Sequence, residues 1–259
     1  MSTLSFSPTR FYYLLRANVL ENYKTMAMML GGIFLALVFV MYLIQLSNNM
    51  GSWDNQHYMT YFIISFLITG LLYSGHAFPA FRNKEKAIHY LTLPASGGEK
   101  FAVEIVIRLL SLLIIYPIIF WLAVSFESSL VEKIYERYEY IPFVFQSGFN
   151  DFFRNAEPIQ KTLFFMGLIG LMITAFTGAS SFKRFPFVKS VLIFGVLLGF
   201  FIVIAWLLLD VMDLKSYRKD TILFISSEIE MARTVIVGLA IAMTGLLSAA
   251  YFKLKEKEV

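Results

Sequence analysis

The sequence predicts an all-α, polytopic membrane protein with six transmembrane helices. Of its 259 residues, 58% are hydrophobic and only 15% are charged, whereas a soluble domain is about 45–50% apolar and about 25% charged. The apolar residues form continuous runs, each long enough to cross about 30 Å of hydrocarbon as a helix. Barrel strands would instead alternate polar and apolar residues. The predicted spans are 26–46, 58–81, 103–126, 162–182, 188–209 and 234–252.

Composition and motif content exclude several kinds of chemistry. The chain has no cysteine, so disulfides, thiol catalysis and cysteine-bound zinc are excluded. None of its histidines, His57, His76 and His89, lies in a metalloprotease pair. A phosphate-binding loop and a serine-hydrolase elbow are also missing from the sequence. We therefore expect no enzymatic activity in this chain, and no cofactor or metal.

The placement of basic residues predicts the orientation of the chain. With both termini in the cytoplasm, the inner segments hold 14 of the 22 lysines and arginines but only 6 of the 18 acidic residues. This asymmetry follows the positive-inside rule. The net charge of +4 therefore reflects topology. It does not indicate a nucleic-acid partner, since the sequence has no compact basic stripe.

Residues 1–25 are predicted to form an amphipathic helix at the inner membrane interface, ahead of a six-helix transmembrane domain at 26–259. Pro8 suits the first turn of a helix, with Ser7 as its cap. Apolar residues recur at helical spacing in this segment, namely Phe11, Leu14, Leu15, Val19 and Tyr23. A basic leader without an interfacial role is the alternative.

The loop at 82–100, between the second and third spans, has a charged half followed by an apolar patch. A short helix fits 83–92, because Pro94 and Gly97-Gly98 stop it. Apolar residues facing the cytosol favour a docking surface for a partner. The candidate docking residues are Lys84, Lys86, Ile88, Tyr90, Leu91 and Leu93. The alternative is a loop that packs back on the bundle or on lipid headgroups.

Ionisable residues are essentially missing from the cores of the predicted spans. Glu104 and Arg108, one helical turn apart near the inner end of the third span, can pair with each other and snorkel. An ion-driven carrier would need ionisable groups near the bilayer midplane. The energy for any transport is therefore expected to come from another subunit.

Small residues form stripes along the fourth and sixth spans, and such stripes let helix backbones approach closely, within or between subunits. The candidate packing residues are Gly167, Gly170, Thr174, Gly178, Gly238, Ala242 and Gly245. Pro117 predicts a kink in the third span. The outer loops, 127–161 and 210–233, are too short for independent domains and are expected to be interfacial caps.

One stretch of sequence supports a more specific hypothesis. Tyr90-Leu91-Thr92-Leu93-Pro94-Ala95-Ser96, followed by Glu99-Lys100-Phe101, lies between the second and third of six spans, behind a basic amphipathic N-terminal element. This layout resembles the permease subunits of type-2 ATP-binding-cassette exporters. The likeness covers the whole chain in layout but only about twenty residues in motif. It departs from the family at 210–233, where a re-entrant hairpin is not evident.

The resemblance implies a permease subunit in a bacterial inner membrane, paired with a second copy or a related permease. A separate ATPase would dock on the 82–100 loop, and Glu99, Glu104 and Arg108 would tie that loop to the third span. The transported substrate, and export rather than import, stay open. A non-transporting scaffold or sensor that docks a cytosolic partner is the alternative, and an intramembrane enzyme is a third possibility.

Overall fold

The computed structural model describes residues 6–47, 53–82, 84–134, 143–182 and 228–256, together with residues 189, 192 and 195. All regular secondary structure in this part of the chain is helical. The α-helices are α1 (Pro8–Ser47), α2 (Asn55–Ser74), α3 (Lys84–Thr92), α4 (Gly97–Ile105), α5 (Ser111–Ile134), α6 (Phe145–Phe152), α7 (Pro158–Ser181) and α8 (Glu228–Glu256). A 3₁₀ turn covers Pro79–Arg82, and a π-helix at Val106–Leu110 joins α4 to α5.

Within the described residues, five helical segments are long and apolar enough to cross a membrane. They are Pro8–Ser47, Asn55–Ser74, Gly97–Lys133, Pro158–Ser181 and Val235–Glu256. The prediction of an all-α, multi-span membrane protein is therefore confirmed. Most of the fifth predicted span, 188–209, and most of the loop at 210–233 lie outside the described residues. The cytoplasmic location of the termini stays a prediction.

The N-terminal element and the first span form one continuous helix in α1. Pro8 begins it, and the Ser7 carbonyl accepts the first helical hydrogen bond, from the Phe11 N–H at 3.0 Å. The sequence predicts two elements divided near residue 25, whereas the helix runs unbroken for 40 residues. The physical reason is that Gly31 and Gly32 cost helix stability without stopping the helix, and that no proline follows Pro8 in α1.

The second span is shorter than the sequence predicts, because α2 ends at Ser74 and not at residue 81. The chain turns at Gly75 and His76, and Phe78 adopts a positive φ of 54°. Pro79 follows, and proline disfavours helical backbone at the residue before it. The buried ring of Phe78 packs 5.1 Å from the ring of Phe176, which holds this uncommon backbone conformation in place.

The chain forms two compact units, one comprising residues 1–73 and 93–155 and the other residues 74–92 and 156–259. In the first unit, aromatic rings from α2, α5 and the segment before α6 form the core. The ring centroids of Phe62 and Phe120 are 5.0 Å apart, and those of Tyr58 and Phe143 are 5.6 Å apart. Such pairs add stability beyond the burial of their area.

In the second unit, α7 packs along α8. A Cβ built on Gly170 would lie 3.1 Å from Cε of Met243, so the two helices are close at this point. The Thr177 hydroxyl donates across the interface to the carbonyl of Leu246, at 3.2 Å. Interhelical hydrogen bonds of this kind stabilise helix pairs in lipid, where backbone groups have no water to bind.

Gly148 is a close-packing position in the first unit and provides a test of its packing. A Cβ at this residue would lie 2.9 Å from the Asn55 carbonyl oxygen and 3.3 Å from Cβ of Met59. We expect Gly148→Ala to lower the unfolding free energy by about 1–3 kcal/mol, because backbone must shift to admit the methyl group. Thermal unfolding in detergent measures the effect.

Gly167→Ala is the matched control, since a Cβ there would meet nothing within 4 Å. We expect this control to be neutral or slightly stabilising, because alanine favours helix over glycine. Equal melting temperatures for the two variants would contradict the packing described around Gly148.

Candidate functional site

The carboxylate of Glu99 joins the beginnings of two helices in the first unit. Its Oε1 accepts hydrogen bonds from the Ser7 N–H at 2.6 Å and from Nε of Arg10 at 3.2 Å. Nη2 of Arg10 lies 3.1 Å from the same oxygen as an ion pair. The other oxygen, Oε2, accepts from the Ser96 N–H at 2.8 Å. The Glu99 side chain is fully buried, so one carboxylate satisfies donors at the starts of both α1 and α4. We call this arrangement the Glu99 joint.

The local sequence explains how Glu99 is positioned. Ser96-Gly-Gly-Glu99 forms a capping box, in which the Ser96 hydroxyl accepts the Glu99 N–H at 3.2 Å while Glu99 reaches back to the Ser96 N–H. The turn before it is closed by the Ala95 N–H, which donates to the Leu93 carbonyl at 2.8 Å. The Leu-Pro-Ala-Ser motif is thus the turn and cap that start α4.

The sequence predicts Glu99 as a transmission residue but does not predict its partners Ser7, Arg10 and Ser96. A serine followed three residues later by a glutamate predicts a capping box. The contact with Ser7 could not be predicted, because 92 positions separate Ser7 from Glu99 and no local pattern connects them.

Glu104 and Arg108 pair as the sequence predicts. Nε of Arg108 lies 3.6 Å from Oε2 of Glu104, with the two side chains 14% and 5% exposed. The Arg108 guanidinium also lies over the ring of Tyr73, 5.0 Å from its centroid. Nε is buried and has no hydrogen-bond partner in the described part of the chain. Attraction to the Glu104 carboxylate and to the face of the Tyr73 ring therefore holds Arg108 in apolar surroundings.

Arg108 lies in the π-helix, which the sequence does not predict. The Ser111 N–H bonds the Val106 carbonyl, five residues earlier, and the Ser111 hydroxyl donates to the carbonyl of Ile107. The wider turn leaves carbonyls without their usual partners, and the hydroxyl satisfies one of them. Single π-helical turns of this kind occur often at functional positions.

Glu127 departs from the prediction that the span interiors hold essentially no ionisable groups. Its side chain is fully buried in α5, and neither carboxylate oxygen has a hydrogen-bond partner among the residues that the structure describes. The predicted third span ends at residue 126, but the helix continues to Ile134. The sequence gives no sign of this burial, because Glu127 follows directly after the apolar run.

The predicted docking helix is present as α3, within one residue of the predicted start. The Ile88 side chain is 63% exposed, and the half-buried Tyr90 ring lies 5.5 Å from that of Phe81, edge to face. Leu93, which follows α3, is half-buried. The side chains of Lys84, Lys86 and Leu91 lie outside what the structure describes. A docking role for these residues stays a prediction.

The predicted packing residues fall into two groups. In α7, Gly170 approaches α8, Gly178 is buried, and Thr174 donates to the Leu171 carbonyl at 2.7 Å, whereas Gly167 has open space around it. The α8 residues of the stripe are instead exposed, namely Gly238, Ala242 and Gly245. The α7–α8 contact described here therefore uses Met243 and Leu246 in α8.

Comparison with protein-family models, with curated proteins and with solved structures finds no match. Within the described residues, no group of three or more histidine, aspartate or glutamate side chains is placed to bind a metal ion. The features of the chain that bear on its function are the Glu99 joint, α3 and the spans themselves.

The Glu99 joint leads to a direct prediction for the start of α1. Glu99→Ala leaves the part-buried N–H groups of Ser7 and Ser96 without their acceptor, which costs up to about 1–3 kcal/mol for each donor. We expect amide hydrogens in residues 6–16 to exchange at least about tenfold faster. Hydrogen–deuterium exchange of the detergent-solubilised protein measures this.

Glu21→Ala is the matched control, since it removes an exposed glutamate from α1, the helix whose exchange is measured. Its exchange over residues 6–16 should equal that of the unmodified protein. Unchanged protection in Glu99→Ala would show that the carboxylate does not hold the start of α1.

Proposed function

We propose that this chain is the permease subunit of a type-2 ATP-binding-cassette exporter, driven by a separate ATPase that docks on α3. The observation that carries the proposal is the order along the chain, in which a short helix with an exposed apolar side chain comes directly before the segment of the Glu99 joint. The resemblance of the Leu-Pro-Ala-Ser segment to that family motivates the same assignment. Two such chains, or two related ones, would form the pathway.

The surface of α3 is suited to a protein partner. Ile88 exposes an apolar side chain from a nine-residue helix whose sequence, Lys84–Thr92, mixes charged and apolar residues. Helices of this kind bind in grooves, where the apolar side chain anchors and the flanking charges select the partner. The groove of a cytosolic ATPase is the occupant expected if the loop faces the cytoplasm.

The Glu99 joint gives a route by which movement of the loop would reach the membrane. The chain leaves α3 at Thr92 and begins α4 at Gly97, with Ser96 and Glu99 capping that start. The same carboxylate binds Ser7 and Arg10 at the start of the 40-residue α1. A displacement of the loop would therefore bias the positions of two spanning helices together.

The scarcity of ionisable groups in the spans favours an external energy source. Ion-driven carriers use chains of acidic and basic side chains inside the membrane. In the described spans Glu104 and Arg108 pair with each other, and Glu127 has no hydrogen-bond partner with which to relay a proton. A passive pathway driven by ATP hydrolysis in another subunit fits these features better.

Affinity purification from native membranes tests the proposal. We expect an ATPase to co-purify with the chain, and Ile88→Asp to reduce its recovery at least about tenfold, because burying an unpaired carboxylate at an interface costs more than about 1.4 kcal/mol. Val144→Asp is the matched control, since it places the same charge at an exposed valine next to α6.

Three outcomes would count against the proposal. Full ATPase recovery with Ile88→Asp would exclude α3 as the docking helix. Equal losses in both variants would indicate a general defect and not a docking contact. A co-purifying partner without ATPase activity would favour the scaffold or sensor.

A further inference from the structure

A cavity of about 310 Å³ lies within the first unit, between α1 and the junction of the π-helix with α5. Its volume is at the lower end of the range for small-molecule sites, about 300–1,000 Å³. The walls are almost wholly aliphatic, with Leu15, Val19 and Met29 on α1 facing Ile115 and Ile119 on α5. Such a lining suits a hydrocarbon ligand and offers little to a polar one.

The shape of the cavity is long and follows the helix axes. Its lining on the third long helix extends from Val106 to Ile119, which is about 20 Å at the rise of an α-helix. The α1 wall includes residues of the predicted first span, and the opposite wall consists of residues of the predicted third span. The cavity therefore lies at the depth of lipid acyl chains. The ligand that reaches a cavity at this depth most readily is a membrane lipid.

A positive charge lies next to the cavity lining. Tyr73 is one of the lining residues, and the Arg108 guanidinium lies over its ring, 5.0 Å from the centroid. The charge is shared with Glu104, but at 3.6 Å that contact is too long for a hydrogen bond. Nε of Arg108 has no hydrogen-bond partner among the described residues, so the guanidinium keeps a donor that suits an anionic headgroup.

Arg16 adds a second cation on the same side. It follows Leu15 and is exposed, so it can approach a headgroup whose acyl chain lies between α1 and α5. A basic side chain near a membrane surface attracts an anionic lipid by about 1 kcal/mol, which corresponds to about fivefold in affinity. The apolar wall and the two arginines, Arg108 and Arg16, together match an anionic amphiphile.

We propose that this cavity binds an acyl chain of one anionic phospholipid, with the lipid phosphate at Arg108. Arg108 belongs to the π-helix, and Val106 and Ile107 of the same turn line the cavity. The lipid would fill the space between α1 and α5, and its phosphate would accept a hydrogen bond from the Arg108 guanidinium, which Glu104 approaches only to 3.6 Å. This site is independent of the proposed transport function, because it depends on one unit of the chain alone.

Native mass spectrometry of the full, delipidated chain in detergent tests the site. The probes are phosphatidylglycerol and phosphatidylcholine with identical acyl chains. We expect saturable binding of one phosphatidylglycerol, preferred about fivefold over phosphatidylcholine. Arg108→Gln should lower the preference, whereas Arg108→Lys should keep most of it. Arg154→Gln, at an exposed arginine of another segment, is the control for charge.

A second variant fills the cavity without touching Arg108. Val19 is 42% exposed at the cavity wall, so Val19→Trp can extend into the space without displacing the core. It should reduce the binding of both lipids at least about fivefold, whereas Val237→Trp on α8, at a valine that is 57% exposed, should not. Normal lipid binding by Val19→Trp would overturn the site, and an unchanged preference in Arg108→Gln would overturn the headgroup contact. If Arg108→Gln does not fold, the lipid binding of Val19→Trp alone tests the site.

Discussion

The starts of α1 and α4 depend on one buried carboxylate. Glu99 accepts backbone hydrogen bonds from Ser7 and Ser96 and pairs with Arg10, although its side chain is completely removed from solvent. A buried charge of this kind is stable only when its lone pairs are satisfied, and here they are. Further along, where the π-helix has continued α4 into α5, the rings of Phe34 in α1 and Phe126 in α5 meet with centroids 5.6 Å apart. The joint thus fixes the parallel register of α1 with the helix that begins at Gly97.

The π-helix and α5, which follow α4, place polar groups where an apolar environment constrains them. Arg108 is held by Glu104 and the face of Tyr73, beside a cavity lined by aliphatic side chains. Glu127 has no comparable partner in the described structure. Polar groups buried at membrane depth are costly and tend to mark functional positions. The first unit therefore combines the Glu99 joint at the start of two helices, an apolar cavity with Arg108 against one of its lining residues, and a buried acid further along the chain.

Much of the fold follows from patterns that are local in sequence. Long apolar runs predict spanning helices, and the Lys84–Thr92 helix follows from Pro94 and the glycines after it. Pro79 could have predicted the early end of α2, since proline constrains the residue before it. The Ser7–Glu99 contact, the π-helix at Arg108 and the burial of Glu127 could not be predicted. The Ser7–Glu99 contact and the burial of Glu127 depend on which residues of a distant segment lie opposite, and the π-helix depends on one added residue in a helical turn. None of these leaves a periodic pattern in the sequence.

A double-mutant cycle on Arg10 and Glu99 tests the joint most directly. The variants Arg10→Met, Glu99→Gln and their combination would be compared by the free energy of unfolding in detergent. Residues that share one buried network show coupling of about 0.5–3 kcal/mol, so the double variant should be less destabilised than the sum of the two single variants. Strictly additive effects would contradict a direct interaction between the start of α1 and the start of α4.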